Sequence, residues 1–329
     1  MDEREIMQQN IPGPGQKNKE NILPVAIALA SAIGLTIIAL MCGIAWFLIR
    51  MLPGQGCEDY TIRQELFYEM YTEEYPYWET VTVEYPQIEG IDPAVQESLN
   101  TLLYDTAMDR VNYWHLHPSK EVRAYQDEDY QIFASDVSCD ATFHSQYLLS
   151  INYQELYCAG NPVYLTKYTQ RTLNLDLTTG ETYELSDIFR IDEDFIRLWQ
   201  RKADPSYGLS ASDDESTRIL LSWFLNEDEE LQEFYEFRPF FYVTENNDFV
   251  IGISLDPTIE QIMFSGPQEN STFRAFINVR DLEPWRTDSK FWQQYEKSES
   301  TGTVIPCEER ETNLWLGKEA SIWMYYEEY

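Results

Sequence analysis

The chain has 329 residues, of which 57 are Asp or Glu and 23 are Lys or Arg, giving a net charge of −34. That balance excludes a nucleic-acid backbone as partner, because neutralising phosphates takes Lys and Arg, and it favours encounters with cations and basic proteins. Hydrophobic residues at 43% and aromatics at 15% exclude a disordered chain.

Residues 1–20 are polar and are broken by Pro12-Gly13-Pro14-Gly15, so no helix is expected there. They read as a short cytoplasmic tail. Residues 21–49 contain no charged side chain, and a helix needs only about 20 residues to cross the hydrocarbon core. Trp46 suits the membrane interface and Arg50 ends the run. The apolar stretch is longer than a signal-peptide core and no small-x-small cleavage site follows. Residues 21–50 are therefore expected to be a transmembrane signal anchor. Arg4, Lys17 and Lys19 precede it, against Arg50 and Arg63 after it. That count favours a single-pass protein of the cell membrane, with the N-terminus in the cytoplasm and the large domain outside.

Cys42 lies in the span, leaving Cys57, Cys139, Cys158 and Cys307 beyond it. An even number is compatible with two disulfides outside the reducing cytosol. Of the three pairings, sequence separation favours Cys139–Cys158 with Cys57–Cys307. The cysteines form no CxxC pair, which argues against zinc.

Residues 51–77 open on Pro and Gly, become rich in Tyr and Glu without a period, and read as a juxtamembrane stalk. Residues 78–85 alternate as a strand. Asp92 and Pro93 then start a helix, with Val95, Leu99, Leu102, Leu103 and Ala107 on its apolar face. Residues 130–143 and 147–157 predict a hairpin. Residues 165–177 and 181–185 predict another, turning at Thr178-Thr179-Gly180. Asp192 or Asp194, and then Asp213 or Asp214, cap two helices ending near Arg201 and Leu225, and a further helical turn runs to about Tyr235. Strands follow at 239–243, 249–255 and 272–278. Residues 286–329 read as a C-terminal extension with an aromatic end (Trp323, Tyr325, Tyr326, Tyr329) suited to an assembly partner. The expected fold is α+β: an N-terminal transmembrane helix, then a mixed, mainly antiparallel sheet domain with flanking helices. That extracytoplasmic binding domain covers 78–285, as a first part 78–160 and a second part 161–285.

Specific residues in this order carry a resemblance. Tyr85-Pro86-Gln87-Ile88-Glu89-Gly90-Ile91 with Asn100 resembles the opening of the domain-of-unknown-function family 4163. Leu148-Leu149-Ser150-Ile151, the run from Thr172 to Gly180, and Tyr183-Glu184-Leu185-Ser186-Asp187-Ile188-Phe189 resemble the core of family 3298. Phe241-Tyr242-Val243 with Phe249-Val250-Ile251 looks like its late hairpin. The pair occurs in lysozyme-binding membrane anti-sigma factors and beside peptidoglycan deacetylase domains. The resemblance therefore implies a binding or sensing module of the bacterial cell envelope, with a basic protein such as lysozyme or a wall glycan as ligand. Residues 1–20 are too short for a sigma-factor-binding domain, so an anti-sigma output is not expected.

Enzymatic chemistry finds little material. The three histidines are His115, His117 and His144. His115-x-His117 marks no third metal ligand, and neither a G-x-G-x-x-G nor a Walker A motif occurs. No catalytic residue, cofactor or metal is expected. A carboxylate-dependent cell-wall hydrolase is the alternative, given the many Asp and Glu, and a structural partner in the envelope is a third reading. The ligand-binding expectation falls on the loop holding Tyr157, Asn161 and Tyr164. There Cys158-Ala159-Gly160-Asn161-Pro162 stands where family members often carry Gly-Gly-Ala-His-Pro.

Overall fold

Strand alternation, acidic helix caps and turn glycines set the local structure. The computed structural model describes residues 40–41, 56–70, 80–125, 132–160, 165–246, 248–258 and 272–307. Two compact units divide the chain, 1–52 and 53–329. In the first, only Leu40 and Met41 are described, both helical and exposed. The rest of the expected anchor and the tail before it lie outside the described residues. Among the described residues no helix is long and apolar enough to cross a membrane.

The second unit is mixed α+β. Its large sheet contains β1 (Thr61–Met70), β2 (Thr80–Glu89), β3 (Ile132–His144), β4 (Leu148–Gly160), β5 (Leu165–Asp176) and β9 (Thr303–Ile305), in the order β5-β4-β3-β2-β1-β9. The β2–β3 and β1–β9 pairs are parallel and the others antiparallel. Helix α1 (Pro93–Ala107) starts where the Asp92 carboxylate accepts from the Ala94 and Val95 amides. It buries Leu99, Leu103 and Ala107 in a core shared with Ile62, Val81, Val83, Val137 and Ile151. A short α2 (Asp109–Val111) runs into a π-helical turn, Asn112–Leu116, which buries Trp114; α3 (Lys120–Tyr125) follows.

The smaller sheet is an antiparallel meander of β6 (Tyr235–Val243), β7 (Asp248–Pro257) and β8 (Thr272–Asn278). It packs with α4 (Leu185–Ile188), α5 (Glu193–Lys202), α6 (Asp214–Phe224), α7 (Glu229–Gln232) and α8 (Lys290–Glu296) around a second core rich in Phe and Trp. Asp192 caps α5 by accepting from the Phe195 amide, and Asp213 caps α6 by accepting from Glu215. The buried Trp199 indole donates to the Ile251 carbonyl at 2.8 Å.

Several sequence expectations are corrected. Residues 61–70 are not stalk: β1 pairs with β2 along its whole length. The start of the C-terminal extension is not an appendage: α8 buries Phe291 and Trp292 and β9 joins the large sheet. In the expected strand 181–185 only Thr182 bridges Leu175. The chain turns helical at Leu185 because the Asp187 carboxylate accepts from the Glu184 amide at 2.8 Å and closes a helix start.

The expected disulfides are also corrected. Cys139 lies opposite Tyr153 and Cys158 opposite Ala134. The two are therefore five ladder positions apart, about 17 Å at ~3.4 Å per residue, whereas a disulfide needs Cα atoms within about 7 Å. Cys57 and Cys139 are thiols, so Cys57–Cys307 is not formed either. The Cys57 thiol instead faces the Leu177 carbonyl at 3.7 Å.

Candidate functional site

Strand β5 is the last strand at one edge of the large sheet, and unpaired edge groups need cover. Polar side chains bring β6 to it. The Asn174 amide donates to the Phe241 carbonyl at 2.7 Å, and the Ser150 hydroxyl donates to Asn174 Oδ1 at 2.7 Å. Beside them the Gln170 amide donates to Asn152 Oδ1 at 2.7 Å. All four side chains are buried, so each bond replaces lost water contacts.

Below this seam lies a buried charge network. Asp109 Oδ2 is 2.9 Å from Arg110 Nε, 2.8 Å from Arg238 Nη1 and 3.5 Å from Arg171 Nη1. Arg171 Nη1 also lies 2.8 Å from Glu155 Oε2, whose other oxygen accepts from Ser135 at 2.6 Å. Arg238 Nε lies 3.1 Å from Asp256 Oδ2. Glu155 and Asp256 have no exposed side-chain surface. Burial pushes the Asp109 carboxyl up, but the three guanidiniums outweigh it and hold the group at about 2. For Glu155 burial prevails over Arg171 and Ser135, and its pKa rises. The network ties β4, β5 and α2 to β6 and β7.

Two clefts open beside the seam. The first has a volume of 360 Å³, and its walls include Gln170, Arg171, Asn174, Tyr183, Glu236 and Arg238. The second, 790 Å³ and wider, is lined by Leu102, Gly180, Glu181, Thr182, Tyr183, Asp187, Asp288 and Ser289. It thus has three exposed carboxylates and, among the described residues, no basic side chain in its lining. Tyr183 belongs to both walls. Its hydroxyl donates to Gln294 Oε1 at 2.8 Å, while Asp176 Oδ2 accepts from Lys290 at 2.7 Å and from Gln294 at 2.8 Å. Burial raises the Asp176 pKa, but hydrogen bonds from Lys290, Thr178 and Gln294 outweigh it and keep the carboxyl below its ordinary value. Gly180, at φ 76°, makes the turn that carries Glu181 into the second cleft. The segment 174–189, on which the sequence resemblance is sharpest, supplies wall residues to both clefts.

The residues singled out from sequence are not together here. Tyr157 is 1% exposed, with its ring 6.5 Å from that of Trp114. Burial raises its hydroxyl pKa. It is an interior residue beside the charge network and offers a ligand no surface, which corrects the binding expectation for it. Asn161 and Tyr164 lie outside the described residues. His115 stacks on Phe133 with ring centroids 5.8 Å apart, and burial lowers its pKa; His117 is exposed beyond it. Among the described residues no cluster of three or more His, Cys, Asp or Glu could hold a metal ion. Neither cleft lining contains His or Cys. What the arrangement offers is hydrogen bonding in the first cleft and negative charge in the second.

Fold and site define an α+β protein of two sheets, with a polar and an acidic cleft flanking the strand at which they meet. No protein-family model matches the sequence, and no curated protein matches it. Among solved structures, the chain is similar to a member of the DUF3298 family from Bacteroides fragilis NCTC 9343. That match has 13% identity and a TM-score of 0.43, covering 72% of this chain and 97% of the other. It is also similar to a DUF3298 family protein from Pseudomonas aeruginosa PAO1. There identity is 11% and the TM-score 0.38, over 70% of this chain and 95% of the other.

Proposed function

We propose that this chain is a membrane-anchored binding or sensing protein of the bacterial cell envelope. Residues 21–50 are its anchor, the folded unit stands outside the cytoplasm, and its ligand is a basic protein such as lysozyme. The observation that carries this reading is the second cleft, where Glu181, Asp187 and Asp288 line one opening on a chain of net charge −34. Burial, and then the neighbouring charge of Asp187, raises the pKa of Glu184, which lines the first cleft while Asp187 lines the second. Carboxylates are crowded here, and a cationic side chain placed among them relieves that repulsion. The field of the whole surface speeds the encounter.

Calorimetric titration of the full chain, held in a non-ionic detergent, with lysozyme at low and moderate salt tests this. The expected result is binding that weakens with salt yet persists, and that falls at least about tenfold in Asp187→Asn/Asp288→Asn, the equivalent of ~1.4 kcal/mol. Binding unaffected by those substitutions, or absent at low salt, sinks the reading. A second reading, a wall glycan, draws support from the first cleft, whose lining includes the half-buried Thr172 and Arg238 and the exposed Glu236, a hydroxyl, a guanidinium and a carboxylate suited to sugar hydroxyl groups. Salt-insensitive retention on peptidoglycan, lost in Thr172→Val, favours it.

A further inference from the structure

The outer side of β5 loses its partner in the middle of the strand. β5 pairs with β4 in unbroken register from Leu165 to Asp176, and in such a ladder alternate residues turn both backbone groups away from the neighbouring strand. The bonds made on the far side show which residues these are. The Asp176 amide donates to the Glu181 carbonyl, the Tyr183 amide donates to the Asn174 carbonyl, and the Tyr168 carbonyl accepts from the Thr272 hydroxyl at 3.4 Å. Gln170 and Thr172 share that parity. Residues 181–183 thus act as a short edge strand, bridged at Thr182, which ends because the chain turns helical at Leu185. Beyond that point, among the described residues, the amides and carbonyls of Gln170 and Thr172 and the Asn174 amide have no partner on the far side. β6 does not supply one. Its Phe241 carbonyl and Val243 amide are taken by the Asn174 and Ser150 side chains, and Pro239, of the same parity, has no N–H. Gln170 and Asn174 are buried and Thr172 is half-buried, where unbonded backbone groups are rare. The first cleft, 360 Å³, opens at this gap, with Thr172, Tyr183, Glu184, Leu185, Glu236 and Pro239 in its walls. Its exposed charged residues are Glu184 and Glu236, whereas Arg171 is buried and Arg238 half-buried in the ion-pair network.

We propose that the first cleft receives an extended segment of a partner protein, which adds to β5 as a strand beside Gln170–Asn174 and places a basic side chain near Glu184 and Glu236. The open stretch of β5 is about 14 Å long at ~3.4 Å per residue, enough for about five residues of the incoming strand. The main chain of that segment supplies the donors and acceptors that residues 181–183 supply further along. Strand addition takes its affinity from such main-chain bonds and its preference from alternate side chains. The two exposed carboxylates set the preference, favouring a cation and repelling an acidic segment. This strand addition needs none of Glu181, Asp187 and Asp288, which line the second cleft, so it stands or falls apart from lysozyme binding there. It uses the Thr172 backbone and not the hydroxyl, which sets it apart from glycan binding in the same cleft.

The test titrates the full chain, in non-ionic detergent at low salt, with the acetylated and amidated hexapeptide Lys-Val-Lys-Val-Lys-Val, following affinity by calorimetry and hydrogen exchange over residues 168–176 by mass spectrometry. The expected result is slower exchange in that segment on binding, and no binding of Glu-Val-Glu-Val-Glu-Val. Methylating the peptide's backbone amides at alternate residues should weaken binding about tenfold in one parity, the one that faces β5, and leave it within about twofold in the other. Thr172→Pro, which removes an outward N–H at a sheet edge, should abolish binding, and Thr172→Val should keep it. If Thr172→Pro does not fold, the two methylated peptides carry the test. No slowing of exchange up to millimolar peptide, an equal effect of the two methylation patterns, wild-type binding by a folded Thr172→Pro, or loss in Thr172→Val overturns the proposal. So does slow exchange of the segment in peptide-free protein that grows with protein concentration, which assigns the edge to a second copy of the chain.

Discussion

The core beneath the large sheet is mainly aliphatic, with Ile62, Val81, Val83, Leu99, Leu103, Val137 and Ile151 packed together. The core of the smaller sheet is aromatic. Phe249 alone has Phe189, Phe241, Phe291 and Trp292 around it at centroid distances of 5.7 to 6.2 Å, in edge-on and offset geometries that add to simple burial. Between the two runs a seam of a third kind, hydrogen-bonded amides and buried ion pairs. The cores are held by the loss of water from apolar surface, so changes of volume damage them. The seam holds only while each partner is present and correctly charged.

That contrast can be broken at graded cost. Phe249→Ala in the aromatic core should lower stability by about 4 kcal/mol, read as a fall in the urea midpoint, since a large buried side chain leaves a cavity. Arg171→Met at the seam should cost about 3 kcal/mol, because Glu155 stays buried without its partner. Adding Glu155→Gln should restore part of that loss, a recovery that no second substitution near Phe249 would produce. Failure of the recovery would show that Arg171 acts through packing alone.

Acid distinguishes the regions more gently. The folded pKa of Asp109 is about 2 against an ordinary 3.8, so the unfolded chain takes up the proton first. This stability is fully present above about pH 4 and is lost as pH falls through about 2. The difference of 1.8 pKa units corresponds to about 2 kcal/mol. Solvent screening of the partly exposed carboxylate, 32% accessible, brings that to about 1–2 kcal/mol. Asp109→Asn should abolish this part of the acid dependence in denaturant titrations. Glu155 has the opposite sign: its raised pKa adds stability at low pH that is lost as pH rises through the folded value. Smallest is Asp192→Ala, which removes the cap of α5 and a 2.9 Å bond from the Trp285 indole. It should cost about 1 kcal/mol in thermal or urea melts.

Sequence alone determined what local physics controls. Asp92 with Pro93, Asp192 or Asp194, and Asp213 or Asp214 marked three helix starts because a cap acts within about three residues; the structure seats the last two caps at Asp192 and Asp213. Alternation marked β2 because a strand with one buried face repeats every two residues, and runs of strand-forming residues between turn signals marked β3 to β8. The mixed α+β class and the strand-lined turn at Gly180 follow from those same signals. The tertiary structure decided the rest. Thr61 finds Thr303 across most of the chain, so neither β1 nor β9 announces itself locally, and both read as connecting segments. Asp109, Glu155, Arg171, Arg238 and Asp256 come from five separate elements, and no spacing joins them. Tyr157 reads as a loop residue near a family difference, yet the pleat turns it inward beside Trp114. The clefts exist only once the smaller sheet covers the edge of the larger. Which charges are buried, which face a ligand and which cysteines can meet depends on contacts between distant residues.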